Sequence, residues 1–192
     1  MRRNSLNLST ALLLVLFAAA SLRSIAAEKP APQDPKAAQQ RAQAATQLQQ
    51  LFHKGLQENQ LTADDKQQSY RLIDQFLPRH GVEGASWKKF YFDNDGISDV
   101  LSCRLMAADG EEELLSVRFS YEPEPEDHSF SLYKVADLPA AAIPDSFWTV
   151  YAGQLDVTLS AKADAYRNPE RLQALLATID FKTLAAAMTS GK

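Results

Sequence analysis

Three aspartates stand close together in the stretch "FDNDGISDV", Phe92 to Val100. Asp93 and Asp95 are two residues apart, Asp99 follows four residues later, and Gly96 comes directly after the second acid. Calcium is a hard cation that takes about six to eight oxygen ligands, and loops supply them at alternating positions around a glycine. The chemistry on offer is therefore a small calcium loop built on Asp93, Asp95 and Asp99.

The run resembles the D-x-[DN]-x-D-G-x-x-D loops of FG-GAP and related calcium-binding repeats, over about nine residues. The resemblance implies calcium as the ligand. The first acid of such a loop falls on Tyr91, and the twelfth position of an EF-hand counted from there falls on Ser102. The ligand set is thus short by at least one acid. A second acidic loop with Glu122, Glu124, Glu126 and Asp127 is the nearest source of further oxygens. The alternative is a hairpin bend. Asn94-Asp95-Gly96 offers the residues that tolerate positive φ in a tight turn, and aspartates beside turns cap backbone amides without any metal.

Other chemistry is sparse. His53, His80 and His128 show no zinc-ligand spacing, and there is no C-x-x-C. Cys103 is the one cysteine, so no intramolecular disulfide can form. In "DVLSCRLMA" it shares a strand face with Leu101 and Leu105, which reads as a small core residue. Glu111, Glu112 and Glu113 follow Asp109-Gly110 in a turn and form a solvated tip. No nucleophile elbow, phosphate loop or dinucleotide fingerprint occurs. Catalysis has no motif behind it, and the chain reads as non-enzymatic. Aromatic residues are more informative. In "WKKFYF", strand alternation puts Phe90 and Phe92 on one face, with Tyr91 and, at the strand's start, Trp87 on the other. Outward aromatics on a sheet make a binding surface. Trp87 and Tyr91, with the hairpin tip at 93–99 and the acidic loop Glu122, Glu124, Glu126 and Asp127, are the expected contact residues.

The amino terminus reads as an address. Arg2 and Arg3 precede about a dozen apolar residues, Ala11 to Leu22, and "SIAA" ends the run at Ala27. That is the order of a secretory signal, and a transmembrane helix needs about 20 apolar residues. Residues 1–27 are expected to be a cleaved signal and residues 28–36, with Pro30, Pro32 and Pro35, a flexible leader. The remaining chain is expected in the periplasm or outside the cell, with no membrane span. Setting aside Arg2, Arg3 and Arg23 from 20 basic residues leaves 17 against 24 acidic ones, a net charge near −7. Phosphate contacts need a basic surface, so nucleic acid is excluded as a partner.

Residues 37–192 read as a single α+β domain. Leu48, Leu51, Phe52 and Leu56 stripe a first helix over 36–59. Thr62 caps a second, with Asp64 and Asp65 in its first turn, and Pro78 and Gly81 end it. The pair reads as an N-terminal helical hairpin. Four alternating segments follow, "ASWKKFYF", "ISDVLSCRLMA", "ELLSVRFSY" and "HSFSLYKV", joined by short turns into a four-stranded antiparallel meander. C-terminal helices complete the layout: one with Pro144 in its first turn and Phe147, Tyr151, Leu155, Leu159 and Tyr166 along it up to Asn168, with short strands over "FWTVY" and "DVTL" as the alternative, then one capped by Asn168-Pro169, then a short one behind Asp180. These features suggest an exported binding protein, of inhibitor or immunity type, for another envelope protein such as a toxin or hydrolase. The alternative is a small-ligand pocket protein or minor enzyme on a curved sheet wrapped by helices, as in cystatin- or NTF2-like folds. As a hairpin tip, the 93–99 loop needs no metal, and calcium should leave the thermal midpoint of the protein unchanged. A calcium-dependent rise that disappears on Asp95→Asn with Asp99→Asn would establish the metal loop instead.

Overall fold

The computed structural model describes residues 35–58, 61–94, 99–124, 126–128 and 131–189. The signal segment and residues 28–34 lie outside them. The first helix, α1 (Pro35–Glu58), opens on what the sequence assigned to the leader. Proline is well suited to a helix's first turn, where its missing N–H is not needed. Ala44, Ala45, Leu48, Leu51 and Phe52 form its buried stripe. Helix α2 (Ala63–Ile73) starts at Thr62 with a reciprocal cap. The Asp65 N–H donates to Thr62 Oγ1 at 3.1 Å, and the Thr62 N–H donates to the Asp65 carboxylate at 3.0 Å. Lys54 of α1 reaches the same carboxylate at 2.7 Å and so ties the two helices across their turn. Asp65 is consequently held down to about 2, first by Lys54 and then by Thr62. The helix tightens into a 3₁₀ turn, Asp74–Phe76, ahead of Pro78.

The strands are β1 (Ser86–Asn94), β2 (Asp99–Met106), β3 (Glu113–Tyr121), β4 (Tyr133–Val135), β5 (Leu138–Ile143), β6 (Phe147–Ala152) and β7 (Leu155–Ala161). They form one seven-stranded sheet in the order β1-β2-β3-β7-β6-β5-β4. Every neighbouring pair is antiparallel. The α+β class and the antiparallel sheet hold. The expected four-strand meander differs from what is found. Three strands meander as read, but the fourth neighbour is β7, and the segment ending in "LYKV" supplies only β4, at the far edge.

The expected helix over 147–168 is instead β6, β7 and a 3₁₀ turn, Asp164–Tyr166. The observed period is two: Trp148, Val150 and Ala152, then Leu155, Val157, Leu159 and Ala161, are buried in alternation. Gly153, at φ +70, makes the bend between the strands. A Cβ there would sit 3.0 Å from the Thr189 methyl. Pro144 lies in the β5–β6 turn, where its carbonyl accepts from the Trp148 indole N–H at 3.2 Å. β-Branched and aromatic residues favour the pleated surface over a helix, and "FWTVY" and "DVTL" are dense in them. Helix α3 (Pro169–Leu176) does start as read, with Asn168 Oδ1 accepting the Arg171 N–H at 3.0 Å. In α4 (Phe181–Thr189) Asp180 accepts the Thr183 N–H at 3.2 Å.

All four helices put their buried residues into one apolar cluster with the alternating side chains of β2, β3, β6 and β7. They therefore lie on one side of the sheet. Burying each large side chain there stabilises the fold by about 1.5–3 kcal/mol. Trp148 is almost wholly buried, with its ring edge-on to Tyr133 at 5.1 Å. At the β4–β5 turn, Ala136 and Asp137 both adopt positive φ, +52 and +69, without glycine or asparagine. A left-handed conformation costs an ordinary residue about 1–2 kcal/mol, and asparagine tolerates it better. Ala136→Asn should raise the denaturation midpoint, by up to about 1 kcal/mol in stability. Trp148→Ala should lower stability by about 3–5 kcal/mol. Chemical denaturation of both variants checks the turn and the core.

Candidate functional site

Among the described residues, the sheet face away from the helices has no helix against it. Register builds it in rows. Tyr91, Ser102, Arg118, Thr158 and Thr149 pair in succession across five strands. Val100, Ser120, Asp156 and Tyr151 form the next row. Arg104, Ser116, Ser160, Phe147 and Ile143 form another. The central hydroxyls of Thr149 and Thr158 hydrogen bond at 2.9 Å. The Arg104 guanidinium lies over the Tyr91 ring at 5.5 Å and pairs with Glu113 at 3.1 Å. Hydrogen bonding from Arg104 draws the Tyr91 phenol below its ordinary range. Tyr91 on β1 is 44% exposed and Ile143 on β5 is 54% exposed, two separate apolar side chains among polar groups.

The crossover from β3 to β4, of which residues 122–124, 126–128 and 131–132 are described, meets the sheet at Gln154 and Tyr151. The Glu122 N–H donates to the Gln154 carbonyl at 2.8 Å, and Gln154 Nε2 donates to the Pro123 carbonyl at 2.8 Å. Further along, the His128 ring stacks on Tyr151 at 3.5 Å, nearly parallel at 14°. Asp156, directly across from Tyr151, is half-buried. Burial raises its carboxyl to about 6, Glu122 and Glu126 push the same way, and His128 and Arg118 oppose them. Burial and the nearby acids Asp156, Glu126 and Glu122 also raise the Tyr151 phenol. A carboxyl group at about 6 exchanges protons near neutral pH, the property general acids and bases need.

A buried polar chain links this end to the helices. Tyr121 stacks on Phe52 at 5.3 Å and is wholly buried. Its hydroxyl donates to Gln154 Oε1 at 3.2 Å and lies 2.8 Å from His53 Nε2. His53 Nε2 donates to or accepts from that hydroxyl according to the tautomer of its ring. Gln154 thus holds the crossover with one end of its amide and the core tyrosine with the other.

The residues singled out from sequence are scattered over this frame. β1 pairs Lys88 with Arg104 and then Tyr91 with Ser102, so one extra residue sits in β1 between them. The bulge reverses the alternation. Tyr91 faces outward as read, but Trp87 pairs with Leu105, packs on the core and donates its indole N–H to the Pro78 carbonyl at 2.8 Å. Glu122 is half-buried at the crossover, and Glu124, Glu126 and Asp127 are exposed along it. The backbone of Asp93 pairs with Val100 and that of Asp99 with Asn94, at the ends of β1 and β2. Their side chains, and all of Asp95, lie outside the described residues. Among the described residues no three His, Cys, Asp or Glu side chains converge on a metal position.

Cys103 faces the core, where burial pushes its thiol far above the ordinary range, so it is no nucleophile. The face of the sheet toward the helices carries the buried side chains of the apolar cluster. A shallow groove of about 420 Å³ between α1 and α4 is lined by Ala42, Thr46, Lys182, Thr183, Ala186 and Ala187. No described helix is long and apolar enough to cross a membrane.

Sequence reading missed Asp156, Tyr151, His128 and Arg118 as a group. The signal was present in "TVY" and "DVTLS", where polar residues alternate with buried Val150, Val157 and Leu159. Neither a protein-family model, a curated protein nor a solved structure matches the chain. Removing the Tyr121 hydroxyl strands His53 and Gln154 in a part-buried place. Tyr121→Phe should cost about 1–3 kcal/mol, read by denaturation, with the far-ultraviolet spectrum unchanged.

Proposed function

We propose that this chain is an exported, non-enzymatic binding protein that holds a basic protein of the cell envelope against the open face of its sheet. An inhibitor or immunity-type role toward an envelope-targeted hydrolase or toxin is the form of that activity. The observation that carries the reading is the division of the sheet. Four helices share one side, and the other side offers Tyr91, Ile143, Arg118 and a threonine pair across its middle. Exposed tyrosine and arginine side chains on an uncovered sheet face are of the composition that interaction surfaces favour. Charge complementarity supports a basic contact at one end of the face only, since Arg104 and Arg118 stand on its rows. Glu122, Glu124, Glu126 and Asp127 line the crossover beside Asp156, and the chain beyond residue 27 is acidic overall. Opposed charge of this kind steers encounter and sets orientation more than it adds affinity.

Affinity purification from periplasm, followed by titration of the purified partner, tests the reading. A basic protein should bind, and Thr158→Arg, at the centre of the open face, should weaken it at least about tenfold. Ala174→Arg, exposed on α3 on the helix side, should leave binding intact. A partner insensitive to Thr158→Arg, or the absence of any basic partner, would sink the proposal.

A further inference from the structure

We propose that the open face of the sheet receives an acidic stretch of a partner protein, with a string of three cations, Lys88, Arg104 and Arg118, as its receptor. The inference rests on the reading of this face as an interaction surface, and it adds what the cationic part of the face takes. Strand register sets the string. Lys88 of β1 pairs directly with Arg104 of β2. Arg104 pairs with Ser116 of β3, and Ser102, two residues back along β2, pairs with Arg118. Arg104 and Arg118 are therefore diagonal neighbours, about 7–8 Å apart. All three stand away from the helices. Lys88 and Arg118 are exposed, and Arg104 is partly exposed over the Tyr91 ring. Their chain neighbours Trp87, Cys103, Leu105, Val117 and Phe119 pack on the core.

The charges on this string do not balance. Glu113 pairs with Arg104 at 3.1 Å. Among the described residues, Lys88 and Arg118 make no ion pair. Asp156 is diagonal to Arg118 across β7 and β3, yet no ion pair joins the two. Like charges directly opposite each other on a sheet repel, so the free protein keeps Lys88 against Arg104 at a cost in stability. Carboxylates laid along the string would remove that repulsion.

The layout suits an extended polypeptide. The cations are spread over three strands, so a chain crossing β1, β2 and β3 meets each in turn. Alternate side chains of an extended chain stand about 6.5–7 Å apart on one side, close to the diagonal step from Arg104 to Arg118. A guanidinium group takes a carboxylate through two parallel hydrogen bonds. Ser116 and Thr158, half-buried beside the arginines on the same side, offer hydroxyls to the peptide backbone. The acidic crossover meets the same face elsewhere, at Tyr151. A partner seated over both parts would lay its acidic stretch across β1 to β3 and its basic surface on the crossover, which fixes one orientation.

Titration of the purified protein with capped hexaglutamate, followed through the amide signals of the sheet by nuclear magnetic resonance, tests this. Shifts should centre on Arg104, Ser116 and Arg118. They should vanish in about 1 M salt, where the screening length falls to about 3 Å. Arg118→Gln and Lys88→Gln, both at exposed positions, should each weaken binding roughly three- to fivefold, the scale of one exposed ion pair. Glu113→Gln frees Arg104 and should tighten binding. Glu124→Gln, on the crossover, makes the same change in net charge and should leave binding nearly unchanged. Hexaglutamate that does not bind, shifts centred elsewhere, equal effects of Glu113→Gln and Glu124→Gln, or tighter binding of a heparin hexasaccharide through the same residues would overturn the proposal. If the peptide fails while Thr158→Arg still breaks the natural complex, the cation string alone falls. If the peptide binds and no basic partner is recovered, the basic-partner reading falls and the string stands.

Discussion

Everything in this molecule depends on the pairing of β3 with β7. Seven residue pairs, from Leu115 with Ala161 to Tyr121 with Leu155, join two meanders that are separate in the chain. Without that ladder the strands β1 to β3 and β4 to β7 would be two narrow sheets, each with open edges and too little apolar surface to order four helices. With it, Val117 and Phe119 stand beside Leu159 and Val157 on one side. The apolar face becomes wide enough to hold α1 through α4 in a single cluster. The same ladder sets Arg118 beside Thr158 and Ser120 beside Asp156 on the other side. One set of hydrogen bonds thus creates the core and the candidate surface together, because strand alternation cannot make one without the other.

The two layers are fastened by a polar chain as well as by apolar packing. Tyr121 puts its ring against Phe52 and its hydroxyl between His53 and Gln154. Gln154 then continues to the crossover backbone at Pro123. In a water-poor setting each of these bonds is worth more than in solvent, and each group left unpaired costs more. Helix α1, the core strand β3 and the acidic crossover are consequently coupled through three side chains.

Around Asp156 the fold accepts an unfavourable arrangement. Burial and neighbouring carboxylates both raise its pKa, which means the ionised form is disfavoured where it stands. Such tension survives because the apolar cluster stabilises the sheet independently of it. Sites held this way respond to their surroundings, since a proton or an opposite charge changes their energy more than it would that of a solvated group.

How much of this was legible beforehand depends on the range of the interaction. Helix starts were readable because a cap is made within three or four residues: Thr62 with Asp65, and Asn168 with Arg171. The alternation of Val117, Phe119 and Tyr121 was readable for the same local reason. The stretch after Phe147 left helix and short strands both open, because Phe147, Tyr151, Leu155 and Leu159 recur every fourth residue, a spacing that suits both a helix face and one side of a strand. Only pairing with β5 and β3 decided between them. Trp87 was assigned to the wrong side because a single extra residue in β1 reverses every later side chain, and a bulge is a property of two strands together. By itself, then, the sequence determined the class, the charge and the local stops and starts, all short-range matters of propensity and capping. The tertiary structure alone decided the strand order and the company Asp156 keeps. Tyr151, Arg118, Glu122 and His128 reach it only through cross-strand pairing and a crossover, contacts that carry no local signature.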